Sequence, residues 1–206
     1  MPLQNRVNPF GDIIATPERG TMIGNRGVLC NDQRQIVRNY QVKRWICCQL
    51  HYKDIRRVVM SPNSWTELFF LDEATAFAAG HRPCFECRNP AAKQFQACWQ
   101  KAHGGKANAA AMDIVLEHDR KRPDGTKNTY LADIKTLPDG TFVTDGDDAW
   151  LVLNGQRYLW SFGGYTEVKP LGKGQVIVLT PKSTVAVFKA GYQPGIHESA
   201  SHIQNQ

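Results

Sequence analysis

The stretch "LDEATAFAAGHRPCFECRNP", residues 71–90, decides how the first half of this chain folds. It opens on Asp72, whose short carboxylate accepts hydrogen bonds from the free amides of a helix start, and Gly80 supplies a left-handed stop. A short helix from Asp72 through Ala79 is therefore expected. Directly behind it come Cys84 and Cys87, two thiols with two residues between them. That spacing lets both sulfurs meet one metal ion while neighbouring amides point at them. A thioredoxin-like redox pair needs a βαβ setting, which the surrounding pattern lacks. The words Pro83-Cys84-Phe85-Glu86-Cys87 also match half of a nucleobase-deaminase zinc site, whose chemistry needs a Glu two residues after an upstream His or Cys ligand. Cys48 is followed by Gln49-Leu50 and His51 by Tyr52-Lys53, so no Glu stands in that place and a deaminase is disfavoured.

Working outward, "RWICCQLHY" (44–52) and "IRRVVM" (55–60) read as two strands of a hairpin turning at Lys53-Asp54. "TELFFL" (66–71) reads as a further apolar strand. Alternation puts Ile46, Cys48, Leu50 and Tyr52 on one face and Trp45, Cys47, Gln49 and His51 on the other. The first face is the more apolar, so Cys48 is expected to turn inward as the third metal ligand. Cys30 is taken as the fourth, with Cys47, His51 and His81 as alternatives. Cys98, beside Phe95 and Trp99 in a helix, reads as a core thiol. The expected cofactor is one structural Zn2+.

The chain of 206 residues is 42% apolar and 21% charged, which fits a globular protein and argues against wholesale disorder. It has no apolar run long enough to cross a bilayer and no secretory pattern at its start, so a soluble cytoplasmic protein is expected. In a reducing cytosol six cysteines serve better as metal ligands or buried thiols than as disulfides. The net charge of +6 lies wholly in residues 1–60, which hold ten Lys and Arg against four acids, and eight of the ten are Arg. Arginine suits bidentate phosphate contact, so this third is a candidate polyanion-binding face.

Residues 1–28 lack periodicity and read as an extended arm over the surface. Asn89 as cap and Pro90 at the first position open a helix over 89–103, and "NAAAMDIVLEHDRK" (108–121) is a second. Past Arg122 the texture changes to turns and β patterning. "AWLVLNGQRYLWSF" (149–162) is a hairpin around Asn154-Gly155, "QVIVL" (175–179) a buried strand, and Pro181 to Gly191 a helix, with a frayed tail from His197. The expected fold is α+β. A zinc-organised N-terminal part of hairpins and short helices (1–122) precedes a small β-rich C-terminal part (123–206), with one continuous unit as the alternative.

Other clusters have competing readings. On the helix through "LEHDRKR" (116–122), Asp113, Glu117 and His118 can act as acid and base or hold a metal, and can equally be ion-paired. Glu67 in an otherwise apolar strand needs a partner, supplied by Arg56, Arg57 or Arg82, or a catalytic role. Asn25-Arg26 between Gly24 and Gly27 can cradle a phosphate or make an ordinary glycine turn. Trp45 and Trp65 can stack on bases or fill the core.

The words Ala79-Gly80, Arg82-Pro83-Cys84 and Cys87-Arg88 resemble the second half of the Ada-type methylphosphotriester-binding zinc domain. Over residues 71–90 the resemblance implies Cys84 and Cys87 as zinc ligands and DNA as a partner. That domain draws its other two cysteines from a C-x3-C segment, where this chain has the adjacent pair Cys47-Cys48, so the methyl-acceptor role passes to no particular cysteine. The chain is also similar to an uncharacterised bacterial family sharing Gly24-Asn25-Arg26-Gly27, Trp45-Ile46-x-Cys48, "TELFFLDEATA", "HRPC" and "LTPKSTV". In its pattern the position of Cys30 is commonly His, which implies Cys30, Cys48, Cys84 and Cys87 as the ligand set. The resulting expectation is a zinc protein that engages nucleic acid, DNA ahead of RNA, in repair or damage response, with Arg44, Arg56, Arg57, Arg82 and Arg88 on phosphates. The alternative is an enzyme processing nucleic acid or nucleotides with Glu67, Asp113, Glu117 or His118 in the site and zinc purely structural.

Overall fold

The computed structural model describes residues 1–53 and 58–203. Short strands β1 (Gln4–Val7), β2 (Ile13–Ala15), β3 (Met22–Asn25), β4 (Ile46–Gln49), β5 (Leu68–Phe70) and β6 (Arg82–Pro83) form one sheet, with helix α1 (Glu73–Ala78) between the last two. Helices α2 (Asn89–His103) and α3 (Ala109–Arg120) follow. The second sheet comprises β7 (Tyr130–Asp133), β8 (Phe142–Thr144), β9 (Ala149–Leu153), β10 (Gln156–Ser161), β11 (Gly164–Pro170) and β12 (Gln175–Val178), and α4 (Lys182–Lys189) and α5 (Ser199–Ile203) close the chain. The class is α+β, as expected.

The first sheet runs β2-β1-β5-β3-β4-β6 and the second β11-β10-β9-β8-β12-β7. Two expectations for the first sheet are corrected. The arm over residues 1–28 is built into the sheet: β1 pairs with β2 and with β5, and β3 lies between β5 and β4. Strand β4 pairs with β3 on one edge and β6 on the other, so both ladder edges are filled and no hairpin partner from 58–60 is added. The remainder of that expected hairpin, Asp54 to Arg57, lies outside the described residues. At the far end, the expected frayed tail instead carries α5, whose Ala200 is buried in a core with Tyr165 and Leu151.

Elsewhere local chemistry decides the elements. Asn154 and Gly155 both take positive φ, 51° and 71°, in the turn joining β9 to β10, as a type I′ hairpin needs. Strand β12 sits inside its sheet yet exposes Gln175 and Ile177, so it is half-buried where full burial was expected. Helix α2 starts one residue earlier than its cap chemistry implies: Arg88 is the cap residue, and the Asn89 side-chain amide donates back to Phe85 O.

Helix α1 holds the two sheets together, because all six of its residues are buried. Its cap, Asp72, accepts from the Thr75 amide and hydroxyl at 2.8 and 2.7 Å through one oxygen. The other accepts from the Tyr165 hydroxyl at 2.7 Å and the His197 amide at 3.0 Å. Burial pushes the Asp72 carboxyl above its usual range, and these donors oppose the shift. Glu73 is likewise enclosed by Arg88, the Tyr192 hydroxyl and the Gly195 amide. The cysteine-bearing knuckle after α1 is thus anchored from the opposite sheet.

Candidate functional site

Cys48, Cys84 and Cys87 come together in the first sheet. Their Sγ atoms all lie within 4.8 Å of one another, and they are the one such group among the described residues. Cys48 arrives on β4, paired with Ile23 of β3. Cys84 follows β6, where the Cys84 amide donates to Cys47 O at 2.9 Å, and the turn closes with the Arg88 amide on Cys84 O at 3.1 Å. Tetrahedral Zn–S bonds of about 2.3 Å separate sulfurs by about 3.8 Å, so three thiols this close need only a small inward movement to share an ion.

The surroundings favour thiolate at Cys84 and oppose it at Cys48 and Cys87. The Cys48 thiol, then the Cys87 and Glu86 amides, draw the Cys84 thiol down to about 5 against the opposing effect of burial. Cys48 is pushed up, first by that same hydrogen bond to Cys84 and then by burial. Burial also raises Cys87, although the Gln49 amide points at its sulfur. Amides aimed at sulfur orient and tune thiolate ligands. The three residues therefore form a cluster able to hold a metal ion. It opens on a cleft of about 420 Å³ lined by Asn25, Arg44, Tyr52, Trp65 and Glu86 among others.

The alternation argument selected the right cysteine for a partly wrong reason. Cys47 faces the deeper core, fully buried with Val7, Leu29, Leu68 and Phe70, while Cys48 faces a smaller apolar cluster beside the cleft. Cys30 does not join the thiols. Its sulfur sits 3.9 Å from Met60 O and accepts from the Thr66 hydroxyl at 3.6 Å, so the expected fourth ligand is corrected. His81 is fully buried elsewhere, between Arg26 and Ala76 O, and His51 is outside the group. Cys98 packs with Phe95 and Trp99, as its helix position implies.

The arginines expected on phosphates divide. Arg44 is exposed and lines the thiol cleft. Arg82 is 2% exposed and holds Asp113 in a fork of 2.8 and 2.7 Å bonds. Arg88 bonds Glu73 at 2.7 Å and reaches Cys47 Sγ at 3.8 Å. Arg82 and Arg88 are thus internal ties, because each faces a buried carboxylate. Arg56 and Arg57 lie outside the described residues.

The acid–base candidates are also occupied. Glu67 is buried and accepts from the Met60 amide at 2.8 Å. Asp113 is taken by Arg82, and Glu117 by Arg120 and Lys121, while His118 is exposed on the helix surface. They do not converge on one reacting centre.

A cluster of cations escaped the sequence reading. Arg26 and Arg120 place their guanidinium carbons 4.2 and 4.0 Å from the centre of the Trp45 indole, and both are buried. Trp45, at 6% exposure, is therefore a core residue and no stacking platform. The one signal was Arg26 between two glycines. Arg120 looks in sequence like any solvated residue of a helix end.

A scan against protein-family models finds no match for this chain, and searches of curated proteins and of solved structures find none either.

Proposed function

We propose that this protein holds one Zn2+ at Cys48, Cys84 and Cys87 and uses the basic surface beside it to engage nucleic acid. Three thiolates with amide support suit zinc better than the oxygen-seeking divalent ions. Cys48, Cys84 and Cys87 all line the cleft, so a fourth ligand could approach such an ion from that side. The zinc is a staple: it ties β4 to the knuckle after β6, so the surface between them keeps one shape.

One observation carries the nucleic-acid reading. Residues 31–45 form an irregular loop exposing Arg34, Arg38, Lys43 and Arg44, with Asp32 the only acid in the segment. No ion pair neutralises these four among the described residues. The loop ends on β4 beside Cys48, and exposed Arg122 lies near Lys43 along one groove. Unpaired cations on a fixed loop meet phosphates with little desolvation cost. DNA is placed ahead of RNA on the resemblance of the knuckle to the Ada-type domain, with repair or damage response as the setting.

The test is fluorescence anisotropy with duplex DNA, single-stranded DNA and RNA across a salt series. Binding that falls steeply with salt is expected, tightest for DNA. The variant Lys43→Ser/Arg44→Ser weakens it and lowers the salt slope by about 2 for two lost contacts. Salt-independent affinity, or a variant that binds as the parent does, contradicts the reading.

A further inference from the structure

On the other side of the 37–45 loop lies a second cleft, of about 610 Å³, walled by Phe10 to Asp12, Arg38 to Tyr40 and the 121–127 turn. Its lining carries five cations, Arg26, Arg38, Arg120, Lys121 and Lys127, against two carboxylates, Asp12 and Asp124. Asp124 is exposed and already accepts from the Thr126 amide and hydroxyl. Arg120 and Lys121 are paired with Glu117, so the positive excess rests on Arg26, Arg38 and Lys127, of which Arg26 is buried.

The floor is the informative part. Arg26 is 2% exposed. Its Nε donates to His81 Nε2 at 3.4 Å and its Nη1 to Gly11 O at 2.9 Å. Its Nη2 is buried without a hydrogen-bond partner among the described residues. That nitrogen lies against Gly11, where an added Cβ would sit 3.8 Å from it, and both residues line the cleft. His81 cannot supply a negative charge: the tautomer that satisfies both its bonds is neutral, donating from Nδ1 to Ala76 O. Burial, then Arg26 and Arg120, hold the imidazole well below its usual range.

The neighbouring cations repel one another. Arg26 is lowered to about 9 by burial and then by Arg120, with only Asp12 acting in its favour. Lys127, whose Nζ donates to Ala78 O at 2.6 Å, is lowered to about 7 by burial and then by Arg26. Contact with the Trp45 face offsets part of this repulsion. Removing an unpaired charge from water is costly, and Arg26, unlike Arg120, has no ion-pair partner among the described residues.

We propose that this cleft binds a phosphomonoester, with Arg26 Nη2 donating to the phosphate from the floor and Arg38 closing on it from the rim. A dianion answers the excess of cations, and a fork of guanidinium donors matches phosphate oxygens. The volume exceeds that of phosphate alone, leaving room for an organic remainder. Two sources present this group: the terminal phosphate of a nucleic-acid strand and a free phosphorylated small molecule. The site shares Arg38 with the exposed-loop reading above, but its floor donor is Arg26 and it uses neither Lys43 nor Arg44, the residues that test that reading.

The experiment titrates inorganic phosphate into the full chain by calorimetry, with chloride holding ionic strength constant. Saturable binding is expected, weakened at least tenfold by Arg26→Met and severalfold by Arg38→Ala, and unchanged by Lys101→Ala on the exposed face of α2. Arg38 is exposed, so Arg38→Ala decides the matter if Arg26→Met fails to fold. Heats no greater than those of chloride, or binding that survives Arg38→Ala undiminished, overturn the site. Oligonucleotides of one sequence with 5′-phosphate or 5′-hydroxyl ends then separate the sources. A tenfold preference for the phosphorylated end assigns the strand terminus, and equal affinity assigns the small molecule. Failure of the Lys43→Ser/Arg44→Ser test leaves this result untouched.

Discussion

At the scale of single residues, charge is spent in two ways. Some cations are internal ties, and Arg82 is the clearest, with three nitrogens committed to Asp113 and Pro83 O. Removing one partner of such a buried pair strands the other, at a cost of about 3–5 kcal/mol. Arg82→Met should lower stability by that order in urea unfolding, and adding Asp113→Leu should restore most of it. A variant that unfolds like the parent but loses DNA affinity would instead return Arg82 to the binding face. Cys84 and Cys87 were legible because C-x2-C is a local spacing, and Cys48 because strands alternate. Cys30 was misplaced because distance along the chain carries no information about which turn brings a sulfur home. Arg82 and Arg88 were misread because net charge does not record the carboxylate waiting across the fold.

At the scale of elements, Lys127 ties the turn from Lys121 to Lys127 to the end of helix α1 through Ala78 O. Lys127 has a folded pKa near 7 against an ordinary 10.5, set by burial and Arg26, with Asp12 opposing. Between those values the unfolded chain binds the extra proton, so stability rises with pH across the window and is lost as pH falls toward 7. Relative to Lys127→Met, the parent should gain up to about 1.4 kcal/mol per pH unit from pH 7 to 10. Parallel denaturant curves for the two proteins at every pH would show that Lys127 titrates normally. Where local rules act alone, elements were legible: Asp72 and Gly80 bracket α1, where Gly80 takes φ of 91° and packs on the Arg120 stem, and Asn154-Gly155 makes the second sheet's hairpin. Strand β1 was missed because its buried positions hold Asn5 and Val7, so no apolar alternation marks it. The tail was misread because its polar composition hides contacts that His197 and Ser199 make with Asp72 and Tyr165.

At the scale of the whole molecule, one layered arrangement serves both proposals. Helix α1 joins the sheets, and its C-terminal end delivers the thiol knuckle toward β4. The loop entering β4 then separates two clefts, one opening on the thiols and one floored by Arg26 and Arg120. No helix among the described residues is long and apolar enough to cross a membrane. A metal at the thiols would fix the end of the loop that carries the exposed cations, so metal loading and nucleic-acid binding should fall together. The most direct test is therefore the metal content of the purified full chain, measured by plasma mass spectrometry beside Cys87→Ser and Cys30→Ser. The account predicts one zinc per chain in the parent and in Cys30→Ser, and nearly none in Cys87→Ser. A parent that folds with far less than one metal per chain, or a Cys87→Ser protein that keeps a full complement, would contradict it.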